Sequence, residues 1–224
     1  MITSTDLLER RSSSAVFVIG DIYKRNSAAE LAEVSKQIPK VLTRLQGASA
    51  SAHSIGHVIS SIGEAITCRL LELAEEKLGP PPVPYAFVVE GSMARHEQTA
   101  LSDQDNGLLL SDEFRPEEHD EYFLAMAKFV CDGLDACGYE YCRGEIMATT
   151  PKWRQPLSVW KSYFDRWIDQ PEPMALMHSS IFFDMRAIYG DNGVKAGNTT
   201  GTTSDLLAKA AEQLVADGAQ VIIM

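Results

Sequence analysis

Gly79-Pro80-Pro81-Pro82 divides this chain into two stretches of different period. Proline lacks the amide hydrogen of a helical turn and clashes with the turn before it, so the run is a firm stop. Upstream, from residue 27 to residue 78, apolar residues recur at helical spacing. Leu31, Val34, Ile38, Val41, Leu42 and Leu45 mark one segment; Ile55, Val58, Ile59, Ile62, Ile66, Leu70 and Leu73 mark a second. Downstream the period is that of strands: Tyr85-Ala86-Phe87-Val88-Val89-Glu90, then Gly91-Ser92 and a short helical stretch, then Asp105-Asn106-Gly107-Leu108-Leu109-Leu110. The order predicted is strand, turn, helix, strand.

Residues 116–136 read as an amphipathic helix with acidic residues in its first turn, where the helix dipole favours them, and Gly138 as its end. A strand over 139–142, a tryptophan-rich helix over 157–168 and a last strand over 180–189 complete the core. Trp153, Trp160 and Trp167 recur every seven residues with Phe164 between them, the spacing of a packing seam. Residues 1–25 read as a short segment, a serine break and a strand-like run from Ala15 to Tyr23. The expected fold is α/β (α+β), a mixed sheet preceded by a helical hairpin.

With 224 residues and 45% hydrophobic content the chain can bury a sizeable core. No apolar run is long enough to span a membrane, and no basic-then-apolar leader is seen, so a cytoplasmic location is expected. A net charge of −11 argues against broad binding to a nucleic-acid backbone, which needs clustered Lys and Arg. Cys68, Cys131, Cys137 and Cys142 lack C-x-x-C spacing and read as reduced structural thiols. His53 and His57, four apart, could share a helix face for a metal, but no H-E-x-x-H pattern is present and a plain helix surface is favoured.

Asp103 and Asp105 are two apart at what reads as the start of a strand, which would put both carboxylates on one face with Cα atoms roughly 6 to 7 Å apart. Such a pair repels itself unless a cation neutralises it, and oxygen-only ligation suits Mg²⁺ or Mn²⁺ beside nucleotide phosphates. Taken alone the pair is more simply two turn aspartates. Gly91-Ser92 directly after a buried strand changes the balance, because glycine lets backbone approach a phosphate and the serine hydroxyl adds a donor.

Gly91-Ser92-Met93-Ala94-Arg95-His96-Glu97-Gln98-Thr99 running into Ser102-Asp103-Gln104-Asp105-Asn106 resembles the bacterial nucleotidyltransferase domain that follows pairs of CBS regulatory domains. That domain is kin to protein-PII uridylyltransferase and glutamine-synthetase adenylyltransferase within the DNA polymerase beta-like superfamily. The resemblance implies metal at Asp103, Asp105 and Asp184, the last also acting as general base or orienting the attacking hydroxyl. It implies nucleotide contacts from Gly91, Ser92, Arg95, Ser102 and Arg186, and transfer of UMP or AMP from a nucleoside triphosphate to a protein. Strand alternation would put Arg186 on the face of Asp184. Arg95 and Glu97, as an i, i+2 helical pair, would not share a face.

The organisation expected is a CBS-type remnant or linker over 1–26, with Ile2 to Leu8 carrying that likeness, a helical segment over 27–80, the transferase core over 85–191 and an atypical tail over 192–224. The tail's end, 204–224, resembles a piece of aspartate/glutamate racemase but brings no racemase cysteine. Two rivals stand: a non-catalytic nucleotide-sensing module, and nucleotidylylation of an aminoglycoside-type small molecule. No nucleic-acid or membrane partner is expected, and a homodimer is left open.

Overall fold

The computed structural model describes residues 14–99, 102–170 and 172–191. Upstream of the prolines lie α1 (Ala15–Ile22), α2 (Ala28–Ser35), α3 (Ile38–Gly47) and α4 (Ala52–Leu78). Ser51 caps α4, its hydroxyl accepting from Ser54 N at 3.1 Å, and Gly79 ends it with φ +88°. Then follow β1 (Tyr85–Val89), α5 (Gly91–Ala94), β2 (Asn106–Leu110), α6 (Pro116–Ala136), β3 (Arg154–Pro156), α7 (Leu157–Asp169), α8 (Pro173–Phe182) and β4 (Arg186–Gly190). The expected mixed α/β fold is the one observed.

The sheet order is β3-β2-β1-β4, with β1 antiparallel to both neighbours and β2 parallel to β3. Every residue of β1 and β2 is buried, because both faces of the sheet are covered. Tyr85, Phe87, Val89, Leu108 and Leu110 face the helical layer, where Ile59, Ile62, Ile66 and Leu70 of α4 meet Phe123, Met126 and Val130 of α6. Gly133 lets these two helices approach: a Cβ there would lie 2.5 Å from Leu70 Cδ2. Ala86, Val88 and Leu109 face the other way, onto Trp153, Trp160, Phe164, Trp167 and Phe182. The tryptophan stripe is therefore the packing seam its spacing predicts, and Trp160 Nε1 donates to Leu108 O at 3.0 Å.

Several local expectations are corrected. The run from Ala15 is helix α1, not strand; an apolar run this short has no decisive period, and Val18 and Ile22, one turn apart, are the pair it buries. The first helical segment breaks at Lys36–Gln37, with Pro39 taking the first turn of α3, where its missing amide costs nothing. Of residues 139–142 only Glu140 pairs, in an isolated bridge with Asp103. The strand expected over 180–189 is half helix: α8 runs to Phe182 and β4 begins at Arg186. β2 runs through Asn106-Gly107 in unbroken register with β1. The CBS-like stretch 2–8 and the tail 192–224 lie outside the described residues. No described helix is long and apolar enough to cross a membrane.

Gly190 closes the sheet at φ +104°, and a Cβ there would stand 2.2 Å from Tyr85 O and 2.9 Å from Ala86 Cα. Both neighbours are backbone, so neither can yield. Gly190→Ala is expected to cost ~2–3 kcal/mol and lower Tm by roughly 5–10 °C, measured by thermal denaturation.

Candidate active site

The site is built where β1 and β2 end together. Glu90 N donates to Asp105 O at 3.1 Å, one ladder step past Val89 and Asn106, so Glu90 and Asp105 stand opposite each other. Gly91 then turns the chain at φ +57°, and a Cβ on it would come within 3.0 Å of Asp105 Oδ2. Glycine is favoured here by the left-handed backbone conformation, and the Asp105 carboxylate packs directly against it. Ser92 follows in the four-residue α5, its carbonyl accepting from Glu97 N at 2.7 Å.

Asp103 and Asp105 are brought together by what lies between and behind them. Gln104 is buried, and its Nε2 donates to Cys131 O at 3.0 Å and Tyr139 O at 2.9 Å. The nearby Asn106 side-chain Oδ1 accepts from Ala148 N at 2.9 Å, and the Asn106 backbone N–H donates to Ile146 O at 3.1 Å. These bonds latch the 139–148 segment onto the aspartate strand and deliver Cys142. Donor atoms of Asp103, Asp105 and Cys142 all lie within 4.8 Å of one another. The thiol lies close to the Asp105 carboxylate and tempers the rise of its pKa. Cys142 is the residue that sequence reasoning missed: it is remote from both motifs, in no recognisable spacing, and only the latch brings it there.

Charge is costly here. Burial raises the Asp105 carboxyl above its usual range and the Asp103 charge adds to this, while the Cys142 thiol works against it. Glu90 is 1% exposed, and neither of its side-chain oxygens has a hydrogen-bond partner. Desolvation, then the charge of Asp105, pushes its carboxyl well above the usual range. A bound cation would offset the cost of bringing these carboxylates together. Paired carboxylate oxygens suit Mg²⁺ or Mn²⁺, while a thiol is a poor ligand for Mg²⁺ and fits better as the group that orients Asp105.

Asp184 is not on a strand and shares no face with Arg186 by alternation. It lies in the turn between α8 and β4, outside the group of donor atoms formed by Asp103, Asp105 and Cys142. Its Oδ2 accepts from Arg95 Nη1 at 2.8 Å. Arg95 Nε also bonds Glu97 at 2.8 Å. The i, i+2 objection to that pair fails because α5 ends at Ala94 and the chain reverses at His96, φ +58°. Arg186 is committed elsewhere, to Glu64 at 2.9 Å and to the Ala94 and Met93 carbonyls at 3.3 and 3.4 Å, bracing the end of α5. Ser102 Oγ accepts from Thr99 N at 3.1 Å, closing the turn ahead of Asp103.

The buried Glu90 carries a signed pH dependence. Below the usual carboxyl range the folded and unfolded states are both protonated and nothing is lost. As pH rises, the unfolded chain ionises first and folding stability falls until the raised folded value is reached. In metal-free protein Glu90→Gln should therefore raise Tm at about pH 7 by roughly 2–4 °C, on the order of 1 kcal/mol, with the gain vanishing near about pH 4. Parallel melts of both proteins across that range check it; an equal gain at both ends would refute the assignment.

The family model described as Putative nucleotidyltransferase DUF294 matches residues 36–174, well over half of the chain. The match takes in the Gly91-Ser92 turn, Asp103, Asp105 and Cys142 and stops short of Asp184. No curated protein matches the chain. By the extent of that match, and with nucleotidyl transfer in general as the activity it carries, the chain belongs to the family Putative nucleotidyltransferase DUF294.

Proposed function

We propose that this chain transfers UMP or AMP from a nucleoside triphosphate to a protein acceptor, with Asp103 and Asp105 holding Mg²⁺ or Mn²⁺. The observation that carries the reading is the glycine turn pressed against Asp105, beside a second carboxylate whose donor atoms lie within 4.8 Å of the first. A phosphate-approaching turn and a cation-demanding pair on adjacent strand ends are what in-line phosphoryl chemistry needs. The acceptor oxygen forms a bond to the α-phosphorus as the bond to pyrophosphate breaks. Bound metal neutralises charge on the phosphate oxygens.

The residues of the chain do the rest. Gly91 and Ser92 offer close backbone and a hydroxyl to phosphate. Arg95, its side chain 42% exposed, is better placed to meet the triphosphate than Arg186, at 29% and already braced by Glu64. An arriving triphosphate competes for the Arg95 guanidinium, which frees the Asp184 carboxylate to orient the acceptor and take its proton. Ser102 holds the turn before Asp103. The choice of uridylyl or adenylyl group and of a protein acceptor follows the likeness of residues 91–106 to the protein-modifying enzymes. The net charge of −11 disfavours a nucleic-acid acceptor.

Asp103→Asn should abolish metal-dependent binding of ATP or UTP by calorimetry and lower turnover by roughly 100-fold or more. Arg95→Ala should weaken triphosphate binding by about tenfold while leaving Tm nearly unchanged, because its ion pairs are solvent-exposed. Metal-dependent binding without nucleotide turnover on any acceptor would favour the nucleotide-sensing module instead. Absence of binding by the wild-type protein would sink both readings.

A further inference from the structure

Apart from the acidic site, three imidazoles gather at the N-terminal end of α4. His53 and His57 lie one turn apart on an exposed face, with ring centroids 4.4 Å apart and edge-on. His96, from the loop after α5, stacks on His57 at 4.7 Å with 10° between ring planes. The backbone holding them together is closely fitted. A Cβ on Gly56 would lie 2.7 Å from the His96 carbonyl oxygen and 3.2 Å from Glu97 Cα, so the loop sits directly on the helix. Two residues on, Gln98 N donates to the buried Ser60 hydroxyl at 3.2 Å. His96 Nδ1 is shielded from solvent and has no hydrogen-bond partner.

We propose that His53, His57 and His96 form a second metal site, for a borderline divalent transition ion such as Zn²⁺ or Ni²⁺, which clasps α4 to the loop carrying Arg95. Imidazole nitrogens suit these ions and not Mg²⁺, which demands oxygen, so the two sites select different metals. A helical i, i+4 histidine pair presents two ligands from one face. The third comes from a residue whose backbone is already seated on that face. The nitrogens of the three rings do not converge as they stand. Rotation of the exposed His53 and His57 side chains is what brings them to one ion, while the loop stays in place. The site would tie the helix leading into the core to the loop that positions Arg95, and it stands independently of the acceptor and base assigned above.

The experiment is calorimetric titration of the tag-free full-length protein with NiCl₂. It compares wild type, His53→Ala, His57→Ala, His96→Gln and the double variant Asp103→Asn/Cys142→Ser, with thermal melts of each. The double variant should still bind one equivalent, shared with wild type, and the affinity of that equivalent should fall about tenfold or more in each histidine variant. Ni²⁺ should raise the Tm of wild type and not of His57→Ala. His53 and His57 are exposed, so their alanine variants will fold and keep the test decisive. The proposal is overturned if wild type binds no Ni²⁺ below about 1 mM. It is equally overturned if the His57→Ala affinity matches wild type, or if binding is lost in the double variant instead.

Discussion

The pairing of β1 with β2 is the constraint on which everything else rests. Both strands are buried throughout and run antiparallel in unbroken register from Tyr85 opposite Leu110 to Val89 opposite Asn106. Apolar layers on both faces make a slip of register expensive, because one residue of slip would exchange every side chain between the helical and tryptophan layers. That register carries one step further, to Glu90 opposite Asp105. The glycine turn and the Asp105 carboxylate are therefore neighbours because the strands beneath them cannot shift.

The acidic end of this ladder is held against its own electrostatics. Asp103, Asp105 and Glu90 crowd together, and Glu90 finds no partner for either oxygen. Arginine relieves them little, the pull of Arg95 on Asp105 being the smallest of the influences on that carboxyl. Arg95 is shared by Glu97 and Asp184, and Arg186 by Glu64 and the carbonyls at the end of α5. The cations nearby hold the loops around the acidic group. Carboxyls pushed above their usual range in this way are a common mark of functional sites.

The glycines, the aspartate pair and the tryptophan stripe were legible in the chain because their meaning is local. Gly91 is required by one dihedral angle, and Trp153, Trp160 and Trp167 by a repeat that matches one helix face and its approach. Asp184 was misplaced for a complementary reason. Ser180 to Tyr189 is apolar enough to read as strand, yet its first residues are the end of a helix that buries Ala175, His178 and Phe182, so Asp184 falls in a turn. The same ambiguity made a strand of α1. Short apolar runs have no period of their own, and tertiary packing chooses for them.

By itself the sequence determined the mixed α/β architecture, the break at the proline run, the buried strands and the residues that could meet phosphate and metal, since these follow from periodicity, glycine conformation and charge. Only the tertiary structure decided which of those residues meet. It set Cys142 beside the aspartates through the Gln104 and Asn106 bonds, gave Asp184 to Arg95, turned Arg186 into a brace and stacked His96 on His57. Each of these is a contact between residues far apart in the chain, and such contacts exist only once the two apolar layers have closed on the sheet and fixed the loops between them.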